Sequence, residues 1–148
     1  MAFESGETFS PSIRNAAGSG ATGLIQFMPS TATWLGTSTE ELAKMTDVDQ
    51  LKYVKKYFRP YADKIHTLSD MYMAILLPKF VGQSEDSILF LDPKISYRQN
   101  AGLDINKDGK ITKAEATKKV KDKLDKGMRD LYALEIDFSI NKGSANDT

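Results

Sequence analysis

The stretch Glu4-Ser-Gly-Glu-Thr-Phe-Ser-Pro-Ser-Ile-Arg-Asn-Ala-Ala-Gly-Ser-Gly-Ala-Thr-Gly-Leu-Ile-Gln-Phe-Met-Pro-Ser-Thr-Ala32 decides how this chain is read. It is rich in Gly, Ser, Thr and Ala, carries Pro11 and Pro29, and has neither a helical nor a strand period. Such a composition predicts a structured loop region, with a short helix from about Ser30 to Leu35. Small residues also let backbone approach a ligand closely.

Helical signals follow. Thr37 with Glu40 fits a capping box, which predicts a helix through Glu41 to Met45. Thr46 is the next N-cap, with Asp47 and Asp49 in the first turn, and Val48, Leu51, Val54 and Phe58 recur at helical spacing until Pro60. Ser69 caps a third helix, Asp70 to Leu77, apolar nearly all round and stopped by Pro78, so it is expected to be the buried central helix. Residues 82–93 read as irregular. A short helix is predicted from Ile95 to Gly102. A long one is predicted from Thr112 to about Leu131 or beyond, its apolar face drawn from Ile111, Ala114, Val120, Leu124, Met128 and Leu131. Leu134 to Ile140 reads either as a strand or as an irregular extension of that helix. The polar tail 141–148 reads as disordered. The fold class is mainly α, in one domain over 1–140 followed by a flexible tail.

Composition sets bounds. The 148 residues suffice for one hydrophobic core, and 41% apolar with 27% charged residues is ordinary for a globular domain. Twenty basic and 20 acidic residues balance to zero net charge, without the basic excess of a nucleic-acid binder, so no nucleic-acid partner is expected. There is no cysteine, hence no disulfide or thiolate metal site. Met1-Ala2-Phe3 has neither a basic start nor an apolar core, so no signal peptide is expected, and the longest apolar run, Met71 to Leu77, is too short to span a membrane.

The most specific motif is Asp104-Ile-Asn-Lys-Asp-Gly-Lys-Ile-Thr-Lys-Ala-Glu115. It matches an EF-hand calcium loop at each informative position. Asp104, Asn106 and Asp108 stand at positions one, three and five. Gly109 stands at the sharp turn, Lys110 offers its carbonyl, Thr112 reaches the ion through water, and Glu115 gives both carboxylate oxygens. Calcium takes about six to eight hard oxygen ligands, which alternating acidic residues in a tight loop supply. Ile111 is expected to pack inward. No second loop of this kind is present in the sequence, so Ca2+ is expected as a structural clip rather than a switch.

The opening stretch, read with this loop, resembles the lytic transglycosylases, lysozyme-like enzymes that cut peptidoglycan glycan strands, and its spelling is most similar to phage-encoded members. The resemblance rests on Glu4-Ser5, Gly23-Leu24-Ile25-Gln26 and Met28-Pro29-Ser30-Thr31-Ala32. It extends more loosely through Tyr72 to Pro78 and the calcium loop to about Val120, and some relatives carry a single EF-hand. It implies a lysozyme-like helical domain that cleaves the MurNAc–GlcNAc bond with one glutamate, Glu4, as general acid and base. Ser5, Gly23, Leu24, Gln26 and Tyr97 are then expected to hold the substrate. Phe3, Phe9, Phe27 and Met28 are expected to form the apolar pocket that raises the pKa of Glu4. Glu7 reads as a loop carboxylate.

Two features depart from the family. The central helix lacks its Ala-Tyr-Asn motif, for which Tyr72, Tyr97, Gln99 or Asn100 would have to compensate. Relatives also carry a helix before the Glu-Ser pair, of which Met1-Ala2-Phe3 resembles the last turn. The Met1 ammonium is expected to lower the pKa of Glu4, and a second chain or another virion protein is expected to complete that helix, without which activity is weak. The implied setting is a phage tail or baseplate, or a released lysis protein. The alternative is a catalytically impaired, calcium-binding structural or glycan-binding module of the virion. His66 is expected at the surface or in packing, Trp34 in the core with stacking on a sugar as the alternative, and the lysines from Lys113 to Lys126 on a solvated helix face, with attraction to anionic peptidoglycan as the alternative.

Overall fold

A computed structural model of the chain describes residues 1–129. Six helices dominate: α1 (Pro29–Trp34), α2 (Thr39–Lys44), α3 (Asp47–Phe58), α4 (Leu68–Leu76), α5 (Ile95–Asn100) and α6 (Lys113–Gly127). Strands β1 (Ile88–Leu91) and β2 (Lys110–Thr112) pair antiparallel, with Phe90 opposite Ile111. The class is therefore mixed: helices with one small sheet among the described residues. No helix there is long and apolar enough to cross a membrane. The expectations for Leu131, Leu134 to Ile140 and the 141–148 tail lie outside the described residues.

The caps explain the boundaries. Thr46 accepts from Asp49 N at 3.1 Å and opens α3 as the sequence predicts. The other two predicted caps shift. Ser38, not Thr37, accepts from Glu41 N and opens α2, while Thr37 donates to the Glu41 carboxylate. Thr67, not Ser69, caps α4 by accepting from Asp70 N, which starts that helix at Leu68, and Ser69 donates to Glu85 instead. In each case several Ser or Thr residues compete, and the one three residues before a free amide wins. At α6 the capping box is complete: Thr112 accepts from Glu115 N, and Glu115 Oε2 accepts from Thr112 N. That helix ends at Gly127, with Met128 as its C-cap.

Residues 82–93 are not irregular throughout. Ile-Leu-Phe-Leu at 88–91 forms β1, half-buried, because the backbone leaving the 104–115 loop offers it a partner strand. Ile111 is fully buried beneath this pair, as expected.

The core has two parts. Leu24, Ile25, Phe27, Ala32, Leu35, Leu42 and Val54 form one, built from the opening loop and α1 to α3. Tyr72, Met73, Leu103, Ile111 and Ala116 form the other, where α4 packs on α6 and the sheet. Helix α4 joins them, with Ile75 packed against the first part and Tyr72 and Met73 within the second. Burying a large apolar side chain such as Phe27 or Leu24 contributes about 1.5–3 kcal/mol.

Lys113 corrects the expectation of a solvated lysine face. It is 1% exposed, and its Nζ lies 2.6 Å from Asp70 Oδ1 and 2.8 Å from the Gln83 carbonyl. Lys123 and Lys126 also leave solvent in part, both pairing with Glu7. Lys118 and Lys121 do form exposed i,i+4 pairs, with Asp122 and Asp125.

Candidate active site and the 104–115 loop

The opening loop is built around a tight turn. Thr22 and Phe27 exchange backbone hydrogen bonds of 3.0 and 2.8 Å, closing Gly23 to Gln26 into a turn. Gly23 has φ +87°, and a Cβ there would lie 2.3 Å from Gln50 Oε1, so glycine is required on two counts. Fully buried Gln50 fastens the loop. Its Oε1 accepts from Leu24 N at 2.7 Å, and its Nε2 donates to the carbonyls of Pro11 and Leu42, each at 2.9 Å. Sequence reading missed Gln50, because a polar residue inside an amphipathic helix carries no local sign that it faces the core.

Glu4 sits where the two core parts meet. It lines a cavity of about 140 Å³ with Met1, Phe3, Ile25, Phe58, Leu68, Met71, Tyr72, Ile75 and Val120. The wall is carbon almost throughout, so burial raises the Glu4 pKa; the Met1 ammonium pulls the other way and is the smaller effect. The ammonium thus lowers the Glu4 pKa as expected, but burial outweighs it. The Met1 amine is itself lowered by burial. Phe3 meets Tyr72 edge to face at 5.7 Å. The hydroxyls of Tyr57 and Tyr72 are raised by burial and by the nearby Glu4 charge, Tyr57 to about 12. Leu68 and Ile75 are the parts of this pocket that the sequence reading did not single out.

The expected pocket residues separate. Phe3 lines the Glu4 cavity, but Phe9 and Met28 are exposed, and Phe27 is buried in the first core part. Of the expected substrate residues, Ser5 is fully buried, and its hydroxyl accepts from Phe9 N at 3.0 Å. Gly23 and Leu24 are buried in the turn. Gln26, at φ +55°, donates to the carbonyls of Gly23 and Ile13 and lines a small depression with Ile25, Phe27, Met28, Thr31, Tyr57 and Ile75. Tyr97 is elsewhere: its hydroxyl donates to Asp104 Oδ2 at 2.6 Å. Glu7 is clamped by Lys123 and by Lys126, the latter at 2.7 Å, and these hydrogen bonds lower its pKa to about 2. That suits a fixed anion, not a proton donor. His66 is exposed, and its backbone N–H donates to Asp70.

In the 104–115 loop, Lys107 and Gly109 take left-handed φ values of +59° and +82°. Asp104 Oδ1 accepts from Lys107 N; its Oδ2 accepts from Tyr97 and from Gly109 N, and the Tyr97 bond leads in holding the carboxyl below its ordinary range. Asn106 accepts from Asp108 N, and Asp108 from Lys110 N. Glu115 Oε2 takes both Thr112 donors, while Oε1 is buried without a hydrogen-bond partner among the described residues. A buried carboxylate oxygen left unpaired is costly, and a cation beside it removes the cost. No three acidic or imidazole side chains converge at metal-binding distance among the described residues. The remaining hard oxygens of the loop belong to Asn106, Thr112 and the Lys110 carbonyl. This oxygen-only donor set, with its orphaned Oε1, fits a hard divalent cation.

Comparison with family models, with curated proteins and with solved structures returned no match.

Proposed function

We propose that the chain is a lysozyme-like, phage-type lytic transglycosylase domain that cleaves the MurNAc–GlcNAc bond of peptidoglycan, with one structural Ca2+ in its 104–115 loop. The observation that supports it best is the enclosure of Glu4: a carboxyl in an apolar cavity at the junction of two core parts, its pKa raised by burial. A carboxyl so held keeps its proton to higher pH than a free one and can donate it. Glycosidases that use two carboxylates need a second one near the first. No second carboxylate lines this cavity among the described residues, which favours a mechanism that recycles one.

In that mechanism Glu4 gives its proton to the glycosidic oxygen as the C1–O bond breaks. The sugar's own C6 hydroxyl then bonds to C1, closing a 1,6-anhydro ring, and its proton returns to the Glu4 carboxylate. Gln26 lines the depression that shares Ile25 and Ile75 with the Glu4 cavity, and the Gly23 turn holds it there. Asp104, Asn106, Asp108, Lys110, Thr112 and Glu115 would hold the calcium, which supplies positive charge to the loop at the start of α6. Tyr97 serves this loop rather than the substrate.

A second reading is a virion module that binds glycan or acts structurally without cleavage. The burial of Ser5 and Leu24 favours it, since neither presents a side chain to a ligand. Clearing of a peptidoglycan suspension separates the two. The enzyme reading expects clearing by the chain and none by Glu4→Gln of equal melting behaviour or better; an equally active variant refutes the role of Glu4.

A further inference from the structure

Trp34 is the chain's one tryptophan, and it is 62% exposed at the end of α1, against the expectation that it would join the core. Leaving an indole in water forgoes a large share of its burial energy, so an exposed one is worth explaining. Its surroundings are specific. Trp34 borders a shallow depression with Ser30, Thr31, Tyr57, Tyr61 and Pro78. The Tyr57 and Tyr61 rings lie 6.3 Å apart and tilted by 47°. Tyr57 is fixed by donating to the Ala74 carbonyl at 2.5 Å.

This depression is linked to the Glu4 cavity through the Gln26 depression. The Gln26 depression shares Ile25 and Ile75 with the Glu4 cavity, and Thr31 and Tyr57 with the Trp34 shelf. The Glu4 cavity and the Trp34 shelf share no lining residue, so the Gln26 depression is the link between them.

We propose that Trp34, with Tyr57 and Tyr61, forms an outlying sugar subsite, reached from the Glu4 cavity by way of the Gln26 depression. The proposal rests on the reading of the Glu4 cavity as a glycan site. A pyranose ring offers a flat face of C–H bonds and a rim of hydroxyl and N-acetyl groups. An exposed indole matches the first, and the Ser30 and Thr31 hydroxyls beside it match the second. Among the described residues no charged side chain borders the shelf, which suits a neutral saccharide unit and not an acidic peptide or a nucleic acid.

Because Trp34 is the one tryptophan, its fluorescence reports this shelf directly. The probe is soluble, uncrosslinked peptidoglycan strand added to the Glu4→Gln chain, which does not turn it over. The expected result is a saturable change in Trp34 emission, and a roughly tenfold weaker strand affinity by calorimetry when Trp34→Ala is added, with an unchanged melting temperature. Strand binding that leaves Trp34 emission unmoved, or that Trp34→Ala leaves equally tight, overturns the subsite while the Glu4 reading stands. A shelf that serves a protein partner gives that same result. Absence of strand binding by the chain and its variants overturns both.

Discussion

Lys113, the first residue of α6, and Asp70, in the first turn of α4, form an ion pair of 2.6 Å between side chains that are 1% and 5% exposed. It ties the end of the 104–115 loop to the helix that lines the Glu4 cavity. Asp70 accepts two further hydrogen bonds, from Gly82 N and His66 N. Burial pushes its pKa up, but the Lys113 ammonium and these donors outweigh it and hold the carboxyl well below its usual range.

Removing one partner leaves the other charge buried. Lys113→Met should therefore destabilise the fold by about 3–5 kcal/mol, and Asp70→Asn by a similar or smaller amount, read from urea unfolding midpoints. A loss under 1 kcal/mol in Lys113→Met would show that the pair is open to water in solution.

Acid should unfold the protein through these same carboxylates. Asp70 and Glu7 both have depressed pKa values, so each contributes stability above its unfolded value, which is lost as pH falls. For Glu7 the window runs from the ordinary 4.5 down to about 2. The melting temperature should fall steadily below about pH 4.5, and Glu7→Gln should flatten part of that fall. Identical pH profiles for the two proteins would contradict the clamp by Lys123 and Lys126.

Glu4 carries the opposite sign. Its pKa is raised, so the folded state holds that proton to higher pH than the unfolded state does. Stability from this group is greatest below pH 4.5 and declines as pH rises through the folded value. Glu4→Gln should thus melt higher than the parent at pH 7 and equal to it at pH 4. A variant that melts lower at pH 7 would mean that the carboxylate is stabilised where it stands.

The turn that approaches the site depends on Gly23 and Gln50. Gln50→Ala leaves Leu24 N unpaired in the interior and should cost about 2–4 kcal/mol. Gly23→Ala adds a clash and a strained backbone, and should cost about 2 kcal/mol or more. Thermal melts of both variants check this, and neutral effects would place the turn elsewhere.

For calcium, chelation should lower the melting temperature. At an ion concentration a hundred times the dissociation constant, binding adds about 2.7 kcal/mol, or roughly 5–10 °C for a domain of this size. Glu115→Gln should lose most of that shift. The same melting curve with calcium and with chelator would remove the proposed site.

Much of this was legible where the signal is local. Thr46 and Thr112 announce their helices through an oxygen placed three residues before a free amide, and Ile111 announces its burial by its place between polar residues. What escaped depends on distant partners. The Lys113–Asp70 pair spans 43 positions, Gln50 meets a turn 26 residues away, and β1 exists because Lys110 to Thr112 lies alongside it. Tyr97 was placed with the substrate by resemblance, yet a carboxylate seven positions on captures its hydroxyl. Trp34 reads as a core residue before a sugar-stacking one, yet its place at the end of α1 leaves it exposed.

The central claim is that Glu4 cuts glycan by closing an anhydro ring. Its most direct test is digestion of purified peptidoglycan by this chain and by Glu4→Gln, with mass spectrometry of the released fragments. The account predicts 1,6-anhydro ends from the parent and none from the variant. Reducing ends, or no fragments from the parent, would contradict it.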